Sequence, residues 1–237
     1  LAISIEERLS DSPYIERIWQ GQTGEPGTFT SIATSHCELV FWEDSGKINV
    51  SLRGPETVAT TVPVPENSYS FGVIFKPGVS MPHIPVDCIL DDMITLPRAG
   101  SQSFWLKGAA WEIPTYDNVD SFIKRLLKED ILEQDSLIES TLSGNIPDVT
   151  ARTLQRRFLK ATGITRTAFH QIERARYATI LLKSGVSILD TVTEAGYYDQ
   201  PHLTRLLKRY IGQTPAQLAD ENNAGEMSFL YKTELLP

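Results

Sequence analysis

Between Ser12 and Lys107 the apolar residues come in short runs of β-branched and aromatic side chains. Ile15–Trp19, Glu38–Trp42, Lys47–Leu52, Val58–Val64 and Tyr69–Phe75 each read as a strand. Gly24–Gly27, Asp44–Gly46, Gly54-Pro55, Pro65–Asn67 and Pro77-Gly78 supply the turns between them. Strands at near-regular spacing with no long helix between them predict an antiparallel barrel or sandwich. From Asn118 the apolar period changes to steps of three and four, through Val119, Phe122, Ile123, Leu126, Leu127, Ile131 and Leu132. This predicts a linker helix over 118–133, capped by Asn118 or Asp117, with an all-helical domain after it. The fold class is therefore α+β: a β-rich domain over 1–117, the linker helix, a helical domain over 134–219, and a tail over 220–237.

Inside the helical region the punctuation is specific. Ser187 can cap a helix whose apolar face is Ile188, Val192 and Ala195, and Gly196 can end it in a left-handed turn. Asp199 can cap the next helix, where Pro201 in the first turn costs no hydrogen bond. Leu203, Leu206, Leu207 and Tyr210 form the buried stripe of that helix, leaving Gln200, His202, Thr204, Arg205, Lys208 and Arg209 outside. Helix, glycine turn and a second helix with a basic outer face make a helix-turn-helix pattern. The pattern occurs once before. Leu137, Ile138 and Leu142 give a short helix, the turn runs from Ser143 to Val149, and Thr150 can cap a helix with Leu154, Phe158 and Ala161 facing inward. Arg152–Lys160 and His202–Arg209 echo each other, each followed by a glycine and then a threonine two positions on. A connecting helix from about Thr167 to Ser184, with Ile172, Ala175, Thr179 and Leu182 inside, spans about 27 Å. That is close to the roughly 34 Å of one duplex turn, so two basic helices can address successive major grooves.

Charge sharpens this picture. The 237 residues carry a net charge of −8, which alone argues against nucleic acid. Residues 1–149, however, hold 10 Lys and Arg against 22 Asp and Glu, while 150–219 hold 11 against 4. A basic block at net +7 between acidic flanks is the footprint of a polyanion-binding module; the competing reading is a solvated helical face. Arg152, Gln155 and Arg156 in the first basic helix suit base edges, and Thr150, Arg157 and Lys160 suit phosphates. In the second, Gln200, His202, Thr204 and Arg205 suit bases, and Lys208 and Arg209 suit phosphates.

Residues about 135–219 resemble the DNA-binding domain of the AraC/XylS transcription-regulator family. The likeness runs through Arg152–Phe158 with Thr162-Gly163, Arg174–Leu182, Ile188–Gln200 around Gly196-Tyr197, Leu203-Thr204-Arg205, Lys208-Arg209 and Gly212–Pro215. It implies two helix-turn-helix units joined by a long helix, with the base-reading positions named above. Thr193, the turn around Asn145-Ile146-Pro147, and Pro201 depart from the family pattern. The resemblance also implies an effector or dimerisation domain of cupin-like type, and Phe71–Gly78 with Leu90-Asp91-Asp92 is similar to one. Trp42, Phe104, Trp105, Trp111 and Tyr116 are then candidates to line a small-molecule pocket, against a plain core role for each.

Other chemistries find little support. His36-Cys37-Glu38 is the sole metal-type cluster, and a site needs three or four convergent ligands. No P-loop, dinucleotide fingerprint or nucleophile elbow occurs. No catalytic residue, metal or cofactor is therefore expected. Two cysteines make no disulfide framework, and Leu1 to Glu7 has no signal-peptide pattern, so a reducing, cytoplasmic setting is expected. No apolar run is long enough to span a membrane. The expected activity is transcription regulation by duplex DNA binding, with a small organic effector, RNA polymerase and a second copy of the chain as further partners. The alternative is a small-molecule-binding or enzymatic β-barrel whose helical domain serves only association. The tail, with Phe229-Leu230-Tyr231, reads equally as a packed strand or a loose end.

Overall fold

A computed structural model describes residues 3–145 and 148–220. The first strands are β1 (Ile3–Arg8), β2 (Ile15–Thr23), β3 (Gly27–Ser31), β4 (Glu38–Asp44), β5 (Lys47–Arg53) and β6 (Thr60–Val64). They are followed by β7 (Tyr69–Phe75), β8 (Val79–Ser80), a 3-10 turn at Val86–Ile89, β9 (Met93–Thr95), β10 (Ser103–Leu106) and β11 (Ala109–Glu112). Then come α1 (Val119–Lys128), β12 (Glu133–Gln134), α2 (Ser136–Leu142), α3 (Ala151–Thr162), α4 (Arg166–Lys183), α5 (Ile188–Glu194), α6 (Gln200–Tyr210) and α7 (Pro215–Ala219). A sheet-rich N-terminal region thus precedes a helical C-terminal one, as the periodicity predicts. The tail motif Phe229-Leu230-Tyr231 and the turn residues Ile146-Pro147 lie outside the described residues.

The described residues form two compact units that interleave along the chain. The first holds 3–26, 36–55, 65–145 and 148–164; the second holds 27–35, 56–64 and 165–220.

In the first unit, six strands make an antiparallel sheet in the order β1-β2-β7-β4-β5-β9. The order leaves β1 and β9 as edges, so this sheet is open, and the cupin-like barrel suggested by Phe71–Gly78 is not reproduced by it. Alternate residues turn one face inward: Leu39 and Phe41 on β4, Val50 and Leu52 on β5, Phe71, Val73 and Phe75 on β7. Phe41 and Phe71 are direct cross-strand partners, and their rings stack at 4.4 Å. Phe122 of α1 meets Phe41 edge-on at 6.1 Å, closing the core from the helix side. The sequence pattern carries a helix to 133, but α1 stops at Lys128. Asp130 adopts φ 51, and the Ile131 and Leu132 N–H groups turn back to the Leu126 carbonyl. The following residues pair as β12 with β8 instead.

The α2–α3 pair belongs to this unit. Asp135 N donates to the Gly78 carbonyl at 2.9 Å. Gly78 itself has φ 84, and a Cβ there would lie 3.0 Å from Ile138. Gly163 caps α3 at φ 72 against Val86. The change of periodicity at Asn118 therefore marks a change of secondary structure, whereas the last division between the compact units runs between Ile164 and Thr165.

The second unit is built on α4. Ile172, Ala175, Thr179 and Leu182 are all buried on the face that α5, α6 and α7 pack against. Its length of 18 residues agrees with the predicted connector, shifted by one residue. A hairpin of β3 and β6, in register from Gly27↔Val64 to Ser31↔Thr60, completes this unit.

Candidate nucleic-acid interface

Local chemistry fixes α6. The Asp199 side chain accepts the His202 N–H at 2.7 Å, and Pro201 occupies the first turn. Upstream, Ser187 caps α5 by accepting the Asp190 N–H at 3.1 Å, and Gly196 makes the turn at φ 67. Leu203, Leu206, Leu207 and Tyr210 are buried, so the opposite face is dictated by helix geometry. Gln200, Pro201, Thr204, Arg205 and Lys208 line one open depression on that face. Removing the cap by Asp199→Ala should cost about 1 kcal/mol of unfolding free energy, checked by chemical denaturation of the full chain.

The turn before α6 is held by a stack that spacing alone does not reveal. Arg174 of α4 donates to the Gly196 carbonyl at 3.2 Å and lies 4.5 Å over the Tyr197 ring. His202 meets the same tyrosine edge-on at 5.4 Å. Burial pushes the Tyr197 hydroxyl up to about 12, with Arg174 opposing, so the phenol stays neutral. His202, read from sequence as a base contact, is thus half-buried against Tyr197. Tyr198, next to the cap, is 91% exposed.

On α3, Thr150 caps the helix by accepting the Thr153 N–H at 3.2 Å. Arg152, Gln155, Arg156 and Lys160 are exposed, with Arg152, Arg156 and Lys160 at successive four-residue steps on one side. Arg157, expected at phosphates, is exposed as well. It grips Asp135 through two bonds of 2.7 and 3.2 Å, and the same carboxylate caps α2 through Leu137 N. Lys208 and Arg209 on α6 are exposed, and the Arg209 guanidinium lies 5.3 Å over the Tyr210 ring.

The five aromatic pocket candidates do not converge. Phe104 and Trp111 pack on Phe122 at 6.2 and 6.0 Å as core. Trp105 alternates to the outside of β10 and is 46% exposed. Trp42 lies on the sheet face opposite Phe41, bonded through its indole to Ser51 Oγ at 3.0 Å. Tyr116 carries Arg8 over its ring at 5.0 Å. Burial pushes the Cys37 thiol up to about 12, aided by Glu38, so it is neutral at ordinary pH. Among the described residues no group of three His, Cys, Asp or Glu side chains can hold a metal ion, and no helix is long and apolar enough to cross a membrane.

Against known families, residues 147–221 match the helix-turn-helix domain. That match takes in about a third of the chain. The match begins a few residues before α3 and takes in α3 to α7. Among individual proteins, the chain is similar to the HTH-type transcriptional regulator RipA of Corynebacterium glutamicum, 34% identical over 94 residues. That alignment covers 40% of this chain and 28% of the relative, so it spans little more than a quarter of that protein. A solved structure of ToxT from Vibrio cholerae aligns over 92% of this chain and 98% of its own at 9% identity and TM-score 0.38. Wild-type ToxT bound to an unsaturated fatty acid, from Vibrio cholerae strain SCE256, aligns over 92% and 94% at 10% identity and TM-score 0.39. At these scores the superpositions fix neither fold nor ligand for this chain.

Proposed function

We propose that this chain is a transcription regulator that recognises a specific duplex DNA site through the outer faces of α6 and α3. The observation that carries the proposal is the single outward face of α6. There Gln200, Thr204, Arg205 and Lys208 surround one open depression on a capped, rigid helix of a helix-turn-helix domain. Arg205 and Arg152 are suited to guanine, Gln200 and Gln155 to adenine, and Arg156 and Thr204 to neighbouring edges. Lys160, Lys208 and Arg209 neutralise phosphates. Thr150 and Arg157 serve α3 itself, through the cap and the Asp135 clamp. His202 supports the turn through Tyr197.

The finer part of the proposal is modulation by a small organic effector in the sheet unit. It is supported by the Trp111 indole N–H and the Tyr116 hydroxyl, which are buried without a hydrogen-bond partner in the protein. RNA polymerase and a second copy of the chain are the protein partners such a regulator would engage.

Selection of bound duplexes from a random pool tests the proposal. A shared sequence is expected to emerge, and its enrichment should change with a metabolite that binds the sheet unit. A pool that stays random after repeated rounds contradicts it. Lys208→Ala should weaken all duplexes alike and flatten the dependence of log affinity on log salt by about one. Titrations of wild type and variant at several salt concentrations check this.

A further inference from the structure

We propose that the β3–β6 hairpin is a positioning arm for the reading helix, a segment of the N-terminal half that sets how α6 is presented to DNA. This rests on the regulator reading above. A helix ends with carbonyl groups that have no partner inside the helix. Two of those at the end of α6 are met by backbone N–H groups beside the hairpin: Ala59 N donates to the Arg209 carbonyl at 2.8 Å, and Ala33 N to the Tyr210 carbonyl at 2.7 Å. The glycine two positions after Tyr210 is made for the contact. Gly212 has φ 83, and a Cβ there would lie 3.1 Å from Thr30 Cγ2 and 3.3 Å from the Ala59 Cβ.

The same short segment also grips α4. The guanidinium of Arg176, 1% exposed, donates to the Ala33 carbonyl at 3.0 Å, and Ser35 Oγ donates to the buried Glu173 at 2.6 Å. Thr34 and Glu56 exchange backbone bonds of 3.0 and 2.9 Å, which close the base of the arm. Hydrogen bonds to buried charged groups resist displacement, because a buried polar atom that loses its partner bears its full desolvation cost. The arm base therefore joins the connector helix to the C-terminal end of the reading helix. The Arg174–Gly196 bond holds the other end.

With the arm seated, Gln200, Arg205 and Lys208 remain exposed. The arm orients the reading face without covering it. Its two strands continue by chain into β2 and β4 on one side and β5 and β7 on the other, four strands that are consecutive in the sheet order β2-β7-β4-β5. The helix-turn-helix domain matched at 147–221 thus lacks a structural part that lies more than eighty residues before its start.

The test uses full-length protein and the duplex recovered by selection, beside a scrambled duplex of equal length at the same salt. Ala59→Pro removes the donor to the Arg209 carbonyl, Arg176→Met removes the donor to the Ala33 carbonyl, and Arg176→Lys keeps a donor there. Amide exchange is followed in α6. Ala59→Pro and Arg176→Met should weaken the selected duplex about tenfold, the scale of one lost base contact, while the scrambled duplex changes less than about twofold. Arg176→Lys should recover most of the discrimination. Equal losses on both duplexes, or unchanged discrimination despite faster exchange in α6, overturn the arm. If Arg176→Met does not fold, Ala59→Pro with Ser35→Ala decides on the same criterion. A wild-type chain that discriminates between no duplexes overturns the regulator reading and the arm together. Wild-type discrimination shared by every variant overturns the arm alone.

Discussion

Phe41→Ala is expected to lower the unfolding free energy of the sheet unit by about 3–5 kcal/mol, among the largest losses that one core truncation brings. Phe41 is fully buried, stacks on Phe71 across the β4–β7 pair and meets Phe122 of α1 edge-on. It is therefore the side chain through which sheet and helix share one core. Truncation removes the transfer free energy of the ring and leaves a cavity that two rigid layers cannot collapse to fill. The Trp111 indole against Phe122 offers a fluorescence reporter for the same core. Urea titration of wild type and variant checks the value. A loss below about 1 kcal/mol would mean that this core relaxes around the gap, contrary to the packing described.

Arg205→Ala should cost about 1–3 kcal/mol on the selected duplex and relax preference at one base step, with little change on scrambled DNA. Arg205 is exposed and lines the α6 depression, between Pro201 and Lys208 along the helix. Its guanidinium can offer two parallel donors to guanine, which a methyl group cannot replace. Equilibrium binding to duplexes varied one base pair at a time measures this. Loss of equal size on selected and scrambled duplexes would make Arg205 a phosphate contact and shift base reading to Gln200 and Thr204.

What the sequence made legible was chemistry that acts over a few residues. Thr150, Ser187 and Asp199 are caps because a side chain three positions before an N–H is enough to make one. The apolar stripe of α6 follows from its own period, and so does the outward set on the opposite face. Distant partners escaped. The Arg157–Asp135 clamp joins two helices across 22 residues, and nothing in either segment marks the pairing. Trp42 and Trp105 read as pocket aromatics, but strand alternation turns them away from the inward face, which only register decides. The β3 strand was hidden because Gly24–Gly27 reads as a turn and the Thr-rich residues after it find their partners some thirty residues on in β6. Its attachment to α6 lies further still along the chain, beyond any pattern of local period.

The central claim is that a basic face of the C-terminal domain binds duplex DNA despite an overall charge of −8. A salt titration of the full chain on the selected duplex tests it most directly. Neutralising even two or three phosphates must release counterions, so log affinity should fall linearly with log salt at a slope of about −2 or steeper. An affinity independent of salt, or no binding at low salt, would contradict the account.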